Sequence, residues 1–205
     1  MEATISGNAN EIAFGGSTIS MAEFGPLCEA PPVALIWVTG NSGVGKSTVC
    51  DLLKRRGWVA VDADWEGYSH WVDRVSGQVV ADPPFPVPAG WLDRYGWRMA
   101  REKVESLAAR AATTTVFLCG SAENGDVVDD LFDLVICLVV DDETLTARLA
   151  SRTTNSFGSH PEELAAALRA NRPTESVHRR PDVVIIDGTQ PIASVVDAVL
   201  SVADV

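Results

Sequence analysis

Five short apolar runs divide the chain. Residues 134–140 are apolar throughout, as a strand buried on both faces would be. Residues 33–39 read as a second buried strand, and 58–61, 114–119 and 182–186 are shorter runs of the same kind. Between the runs, apolar positions recur at helical spacing. They do so at Val49, Leu52 and Leu53, across 97–112, 127–132, 141–152 and 161–171, and at Ile192, Val195, Val196, Val199 and Leu200. Lys54-Arg55-Arg56-Gly57 reads as a helix end, with basic residues in the last turn and Gly at the stop. Pro161, backed by Glu162 and Glu163, reads as a helix start. Strands that alternate with helices predict an α/β body: a parallel sheet covered on both faces.

Two stretches break this rhythm. Residues 1–30 are rich in Gly, Ser, Asn and Ala and show no sustained period, so they are expected to form a flexible N-terminal extension. Residues 31–205 then form one domain, entered through Pro31-Pro32. Within it, 64–95 is an inserted excursion from the sheet. Residues 65–74 are expected to be helical and 75–79 to turn. Asp82-Pro83-Pro84-Phe85-Pro86-Val87-Pro88 must be a stiff, extended connection. Trp65, Tyr68, Trp71, Phe85, Trp91 and Tyr95 crowd this polar, proline-broken stretch. They suit the wall of a small-molecule pocket, or equally a satellite apolar cluster beneath a loop.

Chemistry enters between the first strand and the first helix. Gly40-Asn41-Ser42-Gly43-Val44-Gly45-Lys46-Ser47-Thr48 is a P-loop, G-x-x-x-x-G-K-[ST]. Its glycines let backbone N–H groups turn inward around an anion, and the helix start adds partial positive charge. Lys46 is placed to reach the β- and γ-phosphates, and Ser47 to hold a magnesium ion.

Composition narrows the classes. The chain has 205 residues, 46% of them apolar, and a formal net charge of −12. That acidity argues against a nucleic-acid surface, which would carry a basic patch. No apolar run approaches the length of a membrane helix, and the N-terminus lacks the regions of a signal peptide. Cys28, Cys50, Cys119 and Cys137 show no metal-ligand spacing, and a reducing cytoplasm is the simplest setting for them. His70, His160 and His178 are isolated and receive no catalytic role.

A second motif separates the kinds of P-loop protein. Many ATPases and GTPases end an apolar strand in a metal-holding Asp. Here the third strand ends Leu118-Cys119-Gly120-Ser121, and no Asn-Lys-x-Asp segment reads guanine. The acids stand instead at Asp62-x-Asp64, after the second strand. Alternation along an extended segment puts both on one side, facing the ligand crevice at the strand's C-terminal end. Capping of a following helix would need one acid and not two.

That placement resembles shikimate kinase, gluconate kinase and adenylylsulfate kinase, small P-loop kinases acting on a metabolite hydroxyl. The resemblance runs over residues 33–202 and is sharpest at the P-loop and Asp62-x-Asp64. A chloramphenicol-phosphotransferase-like enzyme shares the outline. The likeness implies a three-layer P-loop NTPase fold, with five parallel strands in the order 2-3-1-4-5. It implies ATP and magnesium as cofactors, a small-molecule hydroxyl acceptor, and a monomer or homodimer without nucleic-acid or membrane partners. Asp62 would hold a magnesium-bound water, and Asp64 would bind the acceptor hydroxyl and take its proton. Arg152 would contact phosphates or adenine, with Arg148 beside it. Residues 153–160 would form a short lid, which departs from the family in carrying no further Arg. Gly188, Gln190 and Pro191 fall where such kinases wrap adenine. Gly120, Ser121, Arg98, Arg101 and Arg172 fall where they touch the acceptor. Two other readings stay open: a nucleoside or nucleotide kinase, with the aromatic excursion stacking a base, and a nucleotide-binding regulator.

Overall fold

The computed structural model describes the backbone of residues 4–5, 11–14 and 17–20, and residues 33–153, 156–171 and 183–205 in full. The chain divides into two units, Met1–Pro31 and Pro32–Val205. In the first, β1 (Thr4–Ile5), β2 (Glu11–Phe14) and β3 (Ser17–Ser20) form an antiparallel sheet in that order. Ile12 pairs with Ile19 and Phe14 with Ser17. The described part of this stretch, which shows no sustained period in sequence, is therefore strand. Its elements are two to four residues long, too short to register as a period.

The second unit holds the predicted α/β body. Its parallel sheet contains β4 (Leu35–Gly40), β5 (Val59–Asp62), β9 (Val116–Cys119), β10 (Leu134–Val139) and β11 (Val183–Asp187). The order is β11-β10-β4-β9-β5, which is 2-3-1-4-5 read from the other edge in core-strand numbering. Central strand β4 pairs on both sides, Ile36 with Leu134 and Phe117. Leu35, Ile36, Trp37 and Val38 are all buried, because helices cover both faces. On one face α1 (Lys46–Arg55), α5 (Asp142–Ser151) and α7 (Ile192–Val202) pack Val49, Leu53, Leu145 and Val196 against Ile36 and Phe117. On the other, α3 (Arg101–Ala111) packs Val104 and Leu107 against Leu35 and Leu118. Helix α6 (Pro161–Asn171) lies against α5, and the short α4 (Gly125–Val128) follows β9.

The excursion differs from expectation. Residues 65–74 are a turn followed by β6 (Ser69–Asp73), not a helix. Residues 97–99, read as the start of a long helix over 97–112, belong instead to β8 (Tyr95–Met99), and α3 begins only at Arg101. With β7 (Val79–Val80) they form an antiparallel sheet in the order β7-β6-β8, in which Trp71 lies opposite Trp97. Aromatic residues fit a pleated, half-buried surface, and their cross-strand partners replace the helix contacts that the local spacing suggested. Between β7 and β8, α2 (Trp91–Arg94) adds one helical turn.

Candidate active site

The parallel strands deliver their C-terminal ends to one cleft of about 2360 Å³. Every residue from Gly40 to Thr48 lines it. Gly40, Gly43 and Gly45 all have positive φ. At Gly40 a Cβ would stand 2.4 Å from the Leu138 carbonyl oxygen, so only glycine lets the loop leave the sheet there. Lys46 is buried and donates to the carbonyls of Gly40 (2.9 Å) and Asn41 (2.8 Å). Burial lowers its pKa, against the pull of Asp64 and Asp62. Of its three N–H donors, two are used by its own loop. Asn41 ties the loop to α6, donating to Ala167 O at 2.7 Å.

Asp62 and Asp64 both reach the cleft from the end of β5. Asp62 Oδ1 accepts from the backbone N–H groups of Asp64 (3.1 Å) and Trp65 (3.2 Å), which shapes the turn. Asp64 Oδ1 accepts from Trp97 Nε1 at 2.9 Å. The carboxyl is open toward the cleft and walled by protein elsewhere. Desolvation raises its pKa, while the Trp97 N–H and the Lys46 ammonium oppose the rise. Arg152, at the end of α5, donates to Ser42 Oγ (3.2 Å) and to Phe157 O. Its Nε is buried without a partner among the described residues, and desolvation lowers its pKa. Glu163, buried at the start of α6, faces Arg152 and accepts from Gly158 N at 2.8 Å. It sits at the third helical position, which suits it to capping loop N–H groups.

Other expected residues have different surroundings. Arg148 lines the cleft, but its guanidinium brackets two loops by donating to Val44 O (2.9 Å) and Gly188 O (2.8 Å). Gly188 and Gln190 also line the cleft, and Gln190 Nε2 donates to Asp187 Oδ2 at 2.7 Å. Pro191 is instead the N-cap of α7, outside the cleft lining. Ser121 lines the cleft, whereas Gly120 packs against Ala63, the residue after β5: a Cβ there would lie 2.4 Å from Ala63 Cβ. Arg98 and Arg101 are not brought to the cleft. Arg98 lies in β8 and bonds Glu123 at 2.9 Å. Arg101 is held on the surface by Glu105 (2.9 Å) and Asp130 (2.7 Å). Arg172 lies outside the described residues, as does His178. In place of these arginines, the cleft wall carries Trp97, Arg74 and Glu123, which sequence reading did not single out as site residues. The aromatic cluster of the excursion is both wall and packing. Trp71 meets Trp97 at 5.0 Å and Trp91 at 4.6 Å, and of these Trp71 and Trp97 face the cleft.

Among the described residues no cluster of three or more His, Cys, Asp or Glu forms a protein metal cage. Magnesium in kinases typically takes one or two protein oxygens plus phosphate and water. Exposed Ser47 on the first turn of α1 and Asp62, with Oδ2 unbonded among the described residues, fit that requirement. The buried, unpartnered Nε of Arg152 and the inward-turned loop fit phosphate.

Fold and loop together define a P-loop protein with the sheet order of the small-molecule kinases. Residues 36–169 match the family described as AAA domain, and the chain belongs to that family. An unliganded sugar kinase from Janibacter sp. HTCC2649 is similar in structure, at 21% identity and TM-score 0.53, over 84% of this chain and 95% of that one. A shikimate kinase from Bacteroides thetaiotaomicron is similar at 16% identity and TM-score 0.54, over 83% and 98%. A third, shikimate kinase from Acinetobacter baumannii in complex with shikimate, is 17% identical with TM-score 0.53, over 84% and 93%. No curated protein matches the sequence. Among the described residues no helix is long and apolar enough to cross a membrane.

Proposed function

We propose that the protein is an ATP-dependent kinase that transfers the γ-phosphate to a hydroxyl of a small metabolite or natural product. One observation carries this reading. A carboxylate that is not needed to shape its turn, Asp64, shares the cleft with the P-loop and interacts electrostatically with both Lys46 and Arg152. A nucleotide-binding regulator has no use for such a group. The absence of an acid at the Cys119-Gly120 end of β9 also speaks against that class. A nucleoside acceptor is favoured by a different feature, the cleft-facing Trp65, Trp71 and Trp97, any of which can stack a base.

In this reading the loop from Gly40 to Thr48 holds the triphosphate, and Lys46 and Arg152 neutralise charge on the transferred group. Gly188 and Gln190 border the adenine. Ser47 and Asp62 hold magnesium, which when bound neutralises the β- and γ-phosphate oxygens. Asp64 orients the acceptor hydroxyl and takes its proton as that oxygen bonds to phosphorus. Trp97 fixes the carboxylate through its N–H. Residues 64–95 supply the acceptor side with Ser121, and 153–160, of which 154 and 155 lie outside the described residues, form a short lid. The buried free thiols of Cys50, Cys119 and Cys137 suit a reducing cytoplasm.

The test is ADP release from ATP and magnesium across a panel of sugars, cyclitols, nucleosides and aminoglycosides. Acceptor-dependent release is expected, with a loss of about 10²–10⁴-fold in Asp64→Asn. Full-rate turnover by that variant would remove the role given to Asp64. ATP binding that survives Lys46→Ala would remove the role given to the loop.

A further inference from the structure

Glu163, 2% exposed, is the most deeply buried carboxylate among the described residues. A buried charge persists only where partners hold it. A capping box accounts for part of its setting. At the third helical position a Glu or Gln ordinarily accepts from the N–H of the capping residue. That bond, from His160 N, is long here at 3.4 Å. The short one, 2.8 Å, goes two residues further back, to Gly158 N. Gly158 N belongs to the Phe157–Gly158 peptide, and the carbonyl of that same peptide accepts from Arg152 Nη2. One peptide unit therefore stands between a guanidinium and a carboxylate, with its C=O toward the cation and its N–H toward the anion. Charge assistance at both ends strengthens this alignment. The turn is fitted to it. Gly158 has φ +90°, and a Cβ there would stand 3.0 Å from Leu149 Cδ2. The other arm of Arg152, Nη1, donates to Ser42 Oγ at 3.2 Å. Asn41, beside Ser42, donates to Ala167 O, one turn beyond Glu163 on α6. The bonds thus close a circuit from the P-loop through Arg152, the 157–158 peptide, Glu163 and α6 back to the P-loop. Burial works against the charge on Arg152, and two carboxylates support it, Glu163 first and Asp64 second. The two compete for one guanidinium.

We propose that Glu163 is a positioning residue: through the Phe157–Gly158 peptide it fixes the Arg152 guanidinium over the P-loop, where it meets the terminal phosphate of the nucleotide, and keeps it off Asp64. The inference deepens the kinase reading and rests on it for the identity of the ligand. A guanidinium already oriented in the free protein loses less freedom when the phosphate arrives. One drawn to Asp64 would leave the phosphate loop and neutralise the carboxylate assigned to the acceptor hydroxyl. Glu163 itself touches neither phosphate nor acceptor in this scheme. The sign of its effect is diagnostic. By charge alone, removing an acid beside an anion site strengthens binding of the anion. Removing a positioning residue weakens it.

The experiment measures affinities for magnesium ATP and magnesium ADP by titration calorimetry on the full chain. Arg152→Met is expected to weaken ATP about tenfold and to leave ADP within about twofold of wild type. Glu163→Gln keeps the shape and an acceptor for Gly158 N, and should weaken ATP about five- to tenfold while likewise sparing ADP. The double variant should be no weaker than Arg152→Met, because both changes act through one group. Gly158→Ala leaves both charges in place and displaces the peptide between them, so it should reproduce the loss in Glu163→Gln. Glu162→Gln removes the same charge from the exposed neighbouring position and should not weaken ATP. A Glu163→Gln protein that binds ATP as tightly as wild type, or tighter, overturns the proposal. So do losses that add in the double variant, a Gly158→Ala protein with unchanged ATP affinity, or ATP and ADP affinities that fall together in Glu163→Gln, as a merely structural role would give. If the coupling holds and no acceptor releases ADP, the kinase reading fails alone. If an acceptor does release ADP and Glu163→Gln keeps its ATP affinity, the role of Glu163 fails alone.

Discussion

In the proposed kinase reading, Asp64 combines a catalytic requirement and a stability cost in one side chain. Its pKa is raised chiefly by desolvation, so the carboxylate required for proton transfer forms at higher pH than in an ordinary Asp. The acid limb of the pH–rate profile should therefore lie above the usual aspartate range, near 4. Trp97→Phe removes the N–H that steadies the anion and should move that limb higher still, whereas a purely structural Trp97 would leave it in place. The linkage has a definite sign. A carboxyl whose folded-state pKa exceeds its unfolded one leaves the folded state with more bound protons, so stability falls as pH rises through the unfolded value toward the folded one. Asp64→Asn should raise Tm at neutral pH, give no gain at pH below about 4, and lower turnover by the same factor of about 10²–10⁴. Equal Tm values for wild type and variant at neutral pH would contradict the raised pKa.

At the level of elements, the arginines divide by what they hold. Arg148 joins the P-loop to the turn after β11 through two backbone carbonyls. Arg148→Met should cost about 1–3 kcal/mol of stability and raise the KM for ATP more than it lowers kcat. Arg101, paired at the surface with Glu105 and Asp130, should tolerate Ala with no change in KM for either substrate. Steady-state kinetics on the two variants separates a bracket from a surface ion pair. The same division explains what the sequence could disclose. The five sheet strands and the P-loop were legible because buried parallel strands are continuous apolar runs, and the loop's chemistry is local. Asp62 and Asp64 were legible as a pair for the same local reason. The excursion was not: Trp65, Tyr68, Trp71 and Val72 recur at helical spacing. The partners that make strands of 69–73 and 95–99 lie across β6–β8 pairing, beyond any local window. Misplacing residues 97–99 in a helix gave Arg98 and Arg101 to the substrate and hid Trp97, whose indole reaches Asp64 only because β8 runs beside the cleft.

For the molecule as a whole, the proposed kinase reading requires an acidic chain to attract a polyanion. A formal net charge of −12 sets an unfavourable long-range field for ATP, so binding depends on a small region where the sign is reversed. That region is Lys46, Arg152, the N–H groups of residues 40–48 and the start of α1, with magnesium reducing the ligand's own charge. Because these groups come from β4, α1 and the end of α5, one ligand cross-links elements from the two halves of the sheet's upper edge. Binding to the folded state alone stabilises by RT ln(1 + [L]/Kd), about 2.7 kcal/mol at a hundredfold excess over Kd. For a body of this size that corresponds to a rise in Tm of about 5–10 °C. Magnesium ATP should produce such a shift by scanning fluorimetry, and ATP with a chelator a smaller one, since repulsion from the acidic surface is then less offset. Lys46→Ala should lose the shift. Trp65→Ala should keep it, because Trp65 serves the acceptor half. A shift that survived Lys46→Ala would place the nucleotide elsewhere on the chain. One that vanished in Trp65→Ala would mean that the cleft holds a single ligand across both halves, and the separation of donor and acceptor sites would fall with it.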